Sequence, residues 1–202
     1  MVRAQHRQET VSVAPATEEL AGDVPVRIIT PADAPCGVLL DIHSGGFYMG
    51  AASDNDVRNR ALADRLGVAV VSVDYRLAPE HPWPAAPDDC ETVAKWLAES
   101  AEARFGTGRL VIGGVSAGAT LAMTTLLRLR DRGIDAFAGA VLQYGTFDLS
   151  AQTPAGRPAS MWNFASIRNL RTASRCTPRR WPTPPSTTST DGSMTASGRE
   201  PI

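Results

Sequence analysis

The stretch Arg109–Ala119, RLVIGGVSAGA, decides the fold class of this 202-residue chain. An apolar run, Leu110–Gly113, leads directly into Gly114-Val115-Ser116-Ala117-Gly118, and a leucine-rich segment, Ala117–Arg130, follows it. A Gly-x-Ser-x-Gly pattern between a strand and a helix has the form of a nucleophile elbow. A serine hydroxyl attacks well only when a sharp turn presents it beside backbone N–H groups that stabilise the developing negative charge. The stretch therefore predicts a strand, a sharp turn at Ser116, and a helix.

The two glycines beside Ser116 are explained by the geometry of such a turn. A β-carbon at Gly114 or Gly118 would collide with the neighbouring strand and helix, and glycine tolerates the strained dihedral angles that the turn needs. The alternative is a glycine-rich turn of a nucleotide-binding fold. Neither Gly-x-Gly-x-x-Gly nor a P-loop lysine occurs here, which favours the elbow.

Strand-like and helix-like segments alternate on both sides of the elbow. Two short N-terminal runs, Val11–Ala16 and Val24–Thr30, predict an antiparallel pair. The remaining predicted strands and helices are, in chain order, Gly37–His43, Asp54–Leu66, Val68–Tyr75, Asp88–Phe105 and Ala138–Tyr144. Strands separated by helices indicate the α/β class with a mostly parallel sheet.

The helix predicted over Asp54–Leu66 has identifiable ends and one apolar face. Ser53 or Asp54 is the predicted cap, and Gly67 is the predicted C-terminal stop. Its predicted buried side chains are Val57, Ala61, Leu62 and Leu66.

Composition indicates a globular protein, since 43% of the residues are hydrophobic. The N-terminus lacks the apolar segment of a secretory signal, and no run approaches the ~18 apolar residues that would cross a bilayer. We therefore expect a cytoplasmic protein without a membrane span. Cys36, Cys90 and Cys176 match no metal-binding or redox spacing.

The chain changes character near its C-terminus, which divides it into a domain over residues 1–160 and a tail over residues 161–202. Residues 166–202 hold six arginines and thirteen serines or threonines, but only two acidic residues and few large apolar ones. Such a segment buries too little apolar surface to offset its ordering entropy, so we expect it to be disordered. With Trp181 as its only aromatic residue, this basic segment does not favour nucleic-acid binding.

Two more stretches follow predicted strands. His43-Ser44-Gly45-Gly46-Phe47 follows the third strand, and Asp74–Ala86, DYRLAPEHPWPAA, follows the fourth. Together with the elbow, these stretches resemble the hormone-sensitive-lipase-like group of α/β hydrolases, the serine esterases with an HGGG loop. The resemblance covers about residues 25–150 and implies an α/β-hydrolase sheet that lacks its last strands and helices.

The resemblance implies a carboxylic ester hydrolase, a small-molecule ester as substrate, and an acyl-enzyme formed on Ser116, with no metal or cofactor. It also implies that the N–H groups of Gly45, Gly46 and Ala117 form the oxyanion hole. The physics agrees, because a glycine N–H can approach a carbonyl oxygen closely and a helix N-terminus favours negative charge. The sequence departs from the family pattern at Ser44, where the first glycine is usual, and at Val115, where an aspartate is common.

The partners that Ser116 would need for turnover are missing from the sequence. In this fold the acid and then the histidine of the triad follow the serine, but no histidine follows Ser116. We interpret His43 and His81 as structural, and Asp148 has no base to orient. Asp74, Arg76 and Glu80 are interpreted as a charge network that fixes their loop.

We therefore expect impaired turnover, and a truncated or frame-shifted gene would explain the change in composition. The alternative is a non-catalytic binding protein or an inactive remnant on the same fold. Without the last strands, Ala138–Tyr144 would be an exposed apolar sheet edge.

Overall fold

The fold is a single sheet with helices on both faces. The structure, a computed structural model, describes residues 16–147 and 164–165. The strands are β1 Thr17–Ala21, β2 Val24–Ile29, β3 Val38–Ile42, β4 Ala69–Val73, β5 Leu110–Val115, β6 Phe137–Gln143 and β7 Phe164–Ala165. The helices are α1 Asp56–Leu66, α2 Ala85–Phe105 and α3 Ala117–Asp131, with a 3₁₀ turn at Ala52–Asn55.

The strand order is β1-β2-β4-β3-β5-β6-β7. The four central strands β4, β3, β5 and β6 are parallel, whereas β1, β2 and β7 are joined in antiparallel pairs. The predicted α/β class with a mostly parallel sheet is confirmed. Parallel strands end at the same edge of a sheet, and Ile42 of β3 is in register with Gly114 of β5. The loop after β3 and the elbow after β5 therefore leave the sheet side by side.

Two apolar layers pack on the sheet. The larger core joins β2–β6 to α2 and α3, with Leu40, Ile42, Leu97 and Leu121 fully buried. The smaller one lies under α1 and includes Ile29, Ala63 and Val70. The near-continuous apolar run of β4 is buried over its whole length, as expected of a central parallel strand.

The predicted N-terminal pair exists, but its first strand was placed too early. The strand β1 occupies Thr17–Ala21 and pairs with β2 through a two-residue turn at Gly22 and Asp23. Gly22 has a φ of +68°, which glycine adopts without strain. The position of this turn sets where β1 ends and how it is in register with β2. Residues 11–15 of the predicted first strand lie outside the described residues.

The predicted buried face of α1 is correct only in part, since Leu62 packs against the smaller core, and the predicted stop at Gly67 is confirmed by a φ of +64°. Val57 and Leu66 are exposed, whereas Asn59 and Ala63 are buried. The start also differs from the prediction, because a 3₁₀ turn precedes the helix and Asp54 accepts a hydrogen bond from the Ala51 N–H. The helix is rotated because its sheet-facing side carries hydrogen-bonding groups, which an apolar pattern does not reveal.

Those groups surround Asp41, which points from β3 toward α1 and is 1% exposed. Its carboxylate accepts hydrogen bonds from Asn55 Nδ2 at 2.9 Å, Asn59 Nδ2 at 2.9 Å and Arg58 Nη1 at 3.0 Å. Asn59 Nδ2 also donates to Ser72 Oγ on the neighbouring strand at 2.9 Å. A buried carboxylate is tolerated because these donors replace water. The network thereby joins β3, β4 and α1 beneath the loop that follows β3.

A second polar cluster joins α2 to α3, the helix that begins at the elbow. Glu91 of α2 is buried and pairs with Arg132 and with Arg128 Nη1 at 3.3 Å, and Arg128 also contacts Asp88 at 2.6 Å. The hydrogen bond from Arg132 holds the pKa of the Glu91 carboxyl below its usual range, against the opposing effect of burial. The ion pairs thus stabilise the packing of α3.

The predicted exposed edge at β6 is paired in part. Phe164 and Ala165 form β7, which runs antiparallel to β6 opposite Leu142 and Val141. Val141 is nevertheless 42% exposed, so apolar surface remains accessible at this edge. The rest of the tail predicted over residues 161–202 lies outside the described residues, and its disorder stays a prediction.

The Asp41 network predicts a large loss of stability on substitution. Asp41→Ala leaves the buried amide of Asn59 and the partly buried amide of Asn55 without this acceptor, and we expect the free energy of unfolding to fall by about 3 kcal/mol. Asp131→Ala is the matched control, because Asp131 is 67% exposed and pairs only with its neighbour Arg130 among the described residues. It should cost less than about 0.5 kcal/mol. Urea unfolding measures both, and equal losses would contradict this role of Asp41.

The Glu91 cluster predicts a pH-dependent term in stability. A carboxyl whose pKa is lowered in the folded state stabilises the fold above its ordinary pKa of 4.5, and this stabilisation is lost as the pH falls through the folded value. We therefore expect Glu91→Gln to destabilise the chain more at pH 7 than at pH 3. Glu99→Gln, an exposed change in the same helix, should show a difference from wild type that hardly varies with pH. Unfolding midpoints at several pH values test this, and parallel curves for wild type and Glu91→Gln would refute it.

Candidate active site

Ser116 sits between β5 and α3 in a backbone conformation that is strained for a residue with a side chain. Its φ of +54° and ψ of −118° lie outside the ordinary regions for L-amino acids. Its N–H donates to the carbonyl of Gln143 at 2.8 Å, which fixes the turn to the end of β6. The residue is exposed at the sheet edge where the parallel strands end. The structure thus has the strand, sharp turn and helix that the sequence predicts.

The glycines beside Ser116 lie where no β-carbon fits. A β-carbon on Gly114 would lie 2.4 Å from the carbonyl carbon of Gly118, and one on Gly118 would lie 2.0 Å from the carbonyl oxygen of Ile42. Both distances are far below van der Waals contact, and the obstacles are backbone atoms that cannot move aside. The predicted collisions therefore occur, and they are with strand β3 and helix α3.

The loop of residues 43–51, which we call the β3 loop, has an unusual backbone. Gly45, Gly46, Phe47 and Gly50 all have φ between +62° and +130°. A β-carbon on Gly45 would lie 1.8 Å from the Met49 carbonyl oxygen. That carbonyl is close because the loop folds back on itself, with the N–H groups of Tyr48 and Met49 donating to the Gly45 carbonyl. The tight turn leaves the N–H groups of Gly45 and Gly46 with no acceptor among residues 16–147.

The β3 loop and the elbow are in direct contact. A β-carbon on Gly118 would lie 2.7 Å from the carbonyl oxygen of His43, the first residue of the loop. Ala117 is the first residue of α3, so its N–H has no partner within the helix. The structure therefore brings together the segments that carry Ser116, Gly45, Gly46 and Ala117, the residues that the sequence singled out.

His43 lies inside this arrangement and is only 2% exposed. Its Nδ1 is 2.7 Å from the Ser44 carbonyl oxygen, so Nδ1 carries the proton that is donated to that oxygen. The imidazole stacks on the ring of Tyr75, with centroids 4.1 Å apart and an angle of 8° between the planes. These contacts agree with the interpretation of His43 as a residue that orders its loop. His81 is exposed, and its N–H donates to the Leu77 carbonyl.

The charged residues after β4 act on the backbone and on α2. Arg76 forms a bidentate pair with Asp89, with its Nη2 at 2.6 Å from Oδ1 and its own backbone N–H at 2.8 Å from Oδ2. Asp74 Oδ1 accepts a hydrogen bond from the Ala52 N–H at 2.9 Å. Asp74 and Arg76 fix loops, as expected, but Glu80 is exposed, and the carboxylate that pairs with Arg76 is that of Asp89.

Sequence reasoning missed two features near the site. Tyr75 is buried and donates from Oη to the His43 carbonyl at 3.1 Å. The one sequence feature that indicates its burial is its position at the end of a predicted buried strand. Thr120 of α3 exchanges hydrogen bonds with the backbone of Thr146, which fixes the segment after β6 to the elbow helix. Asp148 lies outside the described residues.

Two kinds of feature are absent from the described part of the chain. No group of histidine, cysteine, aspartate and glutamate side chains within residues 16–147 is arranged to hold a metal ion. In the same residues no helix is both long and apolar enough to cross a membrane.

Comparison with known proteins gives consistent matches over this region. A family profile described as the alpha/beta hydrolase fold matches residues 39–180. Esterase LipI of Mycobacterium tuberculosis is 42% identical over 118 residues, which is 56% of this chain and 37% of LipI. A bacterial heroin esterase superposes with a TM-score of 0.65 at 35% identity, covering 73% of this chain and 49% of its own. A hormone-sensitive lipase from a metagenome library superposes with a TM-score of 0.61 at 33% identity, and the match covers 69% of this chain and 46% of the lipase chain.

The chain therefore spans less than half the length of each of these three proteins. The matched part carries the β3 loop and the elbow, because the family profile begins at residue 39 and continues beyond Ser116.

The contact between α3 and β3 predicts that Gly118→Ala is strongly destabilising. The added methyl group would meet the Ile42 carbonyl at 2.0 Å, so strand and helix must separate, and we expect a loss of about 3 kcal/mol or more in the free energy of unfolding. Gly108→Ala is the control, because a β-carbon there meets only the end of the Glu102 side chain at 3.3 Å. It should cost less than about 1 kcal/mol. Thermal and urea unfolding measure both variants, and a Gly118→Ala chain as stable as wild type would show that the contact is not tight.

Proposed function

Because this chain belongs to the α/β-hydrolase fold family, within its hormone-sensitive-lipase-like esterases, we propose that it carries the acyl-transfer half-site of a serine carboxylesterase. In this proposal Ser116 is the nucleophile, and the N–H groups of Gly45, Gly46 and Ala117 form the oxyanion hole. The substrate is a small carboxylic ester. Neither a metal ion nor an organic cofactor takes part.

The observation that carries the proposal is the contact between the elbow and the β3 loop. The loop N–H groups have no acceptor among the described residues, and the Ala117 N–H stands at a helix N-terminus. Unsatisfied backbone donors on two segments that meet beside an exposed, strained serine are costly for stability, and such donors are what a tetrahedral oxyanion requires. The positive φ of Ser116 also supports the proposal, because strained conformations of residues with side chains are concentrated at functional sites.

The proposed reaction follows from this arrangement. Ser116 Oγ attacks the carbonyl carbon of the ester, the C=O π electrons move onto the oxygen, and the oxyanion is held by the three N–H groups. Collapse of this intermediate breaks the bond to the alcohol oxygen and leaves an acyl group on Ser116. Water then attacks the acyl-enzyme and releases the acid. Each half-reaction transfers a proton, from the serine hydroxyl to the departing alcohol oxygen in the first, and from water to Ser116 Oγ in the second.

The proton transfers limit what this chain does alone. The Nδ1 of His43 is directed to the Ser44 carbonyl, and its ring is packed on Tyr75, so it serves the loop rather than Ser116. No histidine follows Ser116 in the sequence. Serine hydrolases that lose their triad lose on the order of 10⁴ to 10⁶ in rate, whereas the oxyanion hole retains part of the acceleration. We therefore propose that Ser116 reacts with strong acylating or phosphonylating reagents, with solvent accepting the hydroxyl proton, but turns over ordinary esters slowly.

Reaction with an activated reagent tests the proposal directly. We expect a fluorophosphonate probe to phosphonylate the 202-residue chain at Ser116, as located by peptide mass spectrometry, and Ser116→Ala to abolish the adduct. Hydrolysis of p-nitrophenyl acetate should be slow, and the part that exceeds the spontaneous rate should vanish in Ser116→Ala.

Ser53→Ala is the matched control, because Ser53 is an exposed serine in the 3₁₀ turn after the β3 loop. This variant should be labelled at the wild-type rate. Equal labelling of wild type and Ser116→Ala would exclude Ser116 as the nucleophile. Rapid steady-state hydrolysis that depends on Ser116 would instead show that a base is available to it.

A further inference from the structure

The β3 loop cannot hold its shape by local preference alone. Four of its residues, Gly45, Gly46, Phe47 and Gly50, have positive φ, and only three of these are glycines. Within the loop, the hydrogen bonds run to the Gly45 and Ser44 carbonyls. A strained loop persists only where the surrounding structure fixes it.

The segment after β4 supplies the fixed points. Tyr75 Oη donates to the His43 carbonyl at 3.1 Å, at the start of the loop. The Ala78 N–H donates to the Phe47 carbonyl at 3.0 Å, in its middle. Asp74 accepts from the Ala52 N–H at 2.9 Å, just after its end. Among these contacts Tyr75 is distinctive, because it acts on the loop at two points at once.

The first point is the His43 carbonyl itself. That oxygen accepts the Tyr75 hydrogen bond and also lies where a β-carbon on Gly118 would approach to 2.7 Å. One carbonyl therefore contacts both Tyr75 and the elbow. The Tyr75 hydroxyl thereby helps to set the distance between the loop and the turn that carries Ser116.

The second point is the His43 imidazole. The ring lies flat on Tyr75, and this stacking directs Nδ1 to the Ser44 carbonyl oxygen at 2.7 Å. The Ser44 carbonyl and the Gly45 N–H belong to one planar trans peptide unit, so they point in opposite directions. Fixing the carbonyl toward His43 therefore aims the Gly45 N–H away from it.

We propose that Tyr75 is a positioning residue for the oxyanion hole, acting on the Gly45 N–H through the carbonyl and the ring of His43. This inference rests on the proposed function, since it needs an oxyanion at the site. Tyr75 is 2% exposed, and burial raises the pKa of its phenol, so the hydroxyl stays protonated and remains a donor. Its role does not require contact with the substrate.

The test compares Tyr75→Phe with Tyr144→Phe in the full chain. Tyr75→Phe keeps the stacked ring and removes only the hydroxyl, whereas Tyr144 is 72% exposed and serves as the matched control. We expect Tyr75→Phe to slow phosphonylation of Ser116 by the fluorophosphonate probe about 10-fold, since misplaced donors lose part of their effect. Tyr144→Phe should react at the wild-type rate. Unfolding midpoints establish that both variants are folded.

A spectroscopic readout separates positioning from general weakening of the fold. In wild type, the amide proton resonance of Gly45 should move downfield on phosphonylation, because a phosphoryl oxygen then accepts its hydrogen bond. In Tyr75→Phe this downfield shift should be smaller, and in Tyr144→Phe it should be unchanged. Wild-type labelling kinetics in Tyr75→Phe would overturn the inference, and so would slow labelling with an unchanged Gly45 shift.

Failure of the proposed function gives a different result. If the wild-type chain acquires no adduct on Ser116 even at alkaline pH, where solvent hydroxide takes the place of the missing base, the proposed nucleophile and oxyanion hole are refuted, and the role of Tyr75 with them. If wild type is labelled and Tyr75→Phe behaves identically, only the role of Tyr75 is refuted.

Discussion

The backbone contact between helix α3 and strand β3 is the constraint on which the rest of the site depends. Gly118 lies so close to the Ile42 and His43 carbonyls that even a methyl group would not fit between them. This approach places the N-terminus of α3 against the start of the β3 loop. It also requires Ser116 to turn sharply out of β5, which accounts for its positive φ. The position of the serine, the position of the loop and the need for two glycines thus share one steric cause.

Around this contact, buried polar groups fix the positions of the helices, which non-directional apolar packing does not do. Asp41 joins β3 to α1 on one face of the sheet, and Glu91 joins α2 to α3 on the other. Both carboxylates are buried and are satisfied by more than one donor, so they favour one arrangement of the helices over others. The two clusters support strand β3 and helix α3, whose contact lies at the candidate site.

The elements that the sequence predicts well are those with a local cause. This holds for the apolar runs of β3, β4 and β5 and for the glycines of the elbow, because the residues of each segment are sufficient to explain its conformation. The buried face of α1 could not be predicted in this way, because Asn59 is buried by its bonds to Asp41 and Ser72, which lie on other strands. Strand β1 was misplaced since the Gly22-Asp23 turn outweighs the weak alternation that precedes it. Tyr75 was missed because its importance comes from a carbonyl 32 residues earlier in the chain.

The contacts of the β3 loop also determine when the site can form. The loop is made of residues 43–51, but the hydrogen bonds that hold it in place come from Asp74, Tyr75 and Ala78. Its first residue also packs against the backbone of Gly118. A chain emerging during synthesis therefore holds the loop long before it holds the residues that shape it. Contacts so distant in sequence close late, after their entropy cost has been met by the packing of the strands. The arrangement of N–H groups is in this sense a product of completed folding, and partly folded forms of the chain contain the serine without its environment.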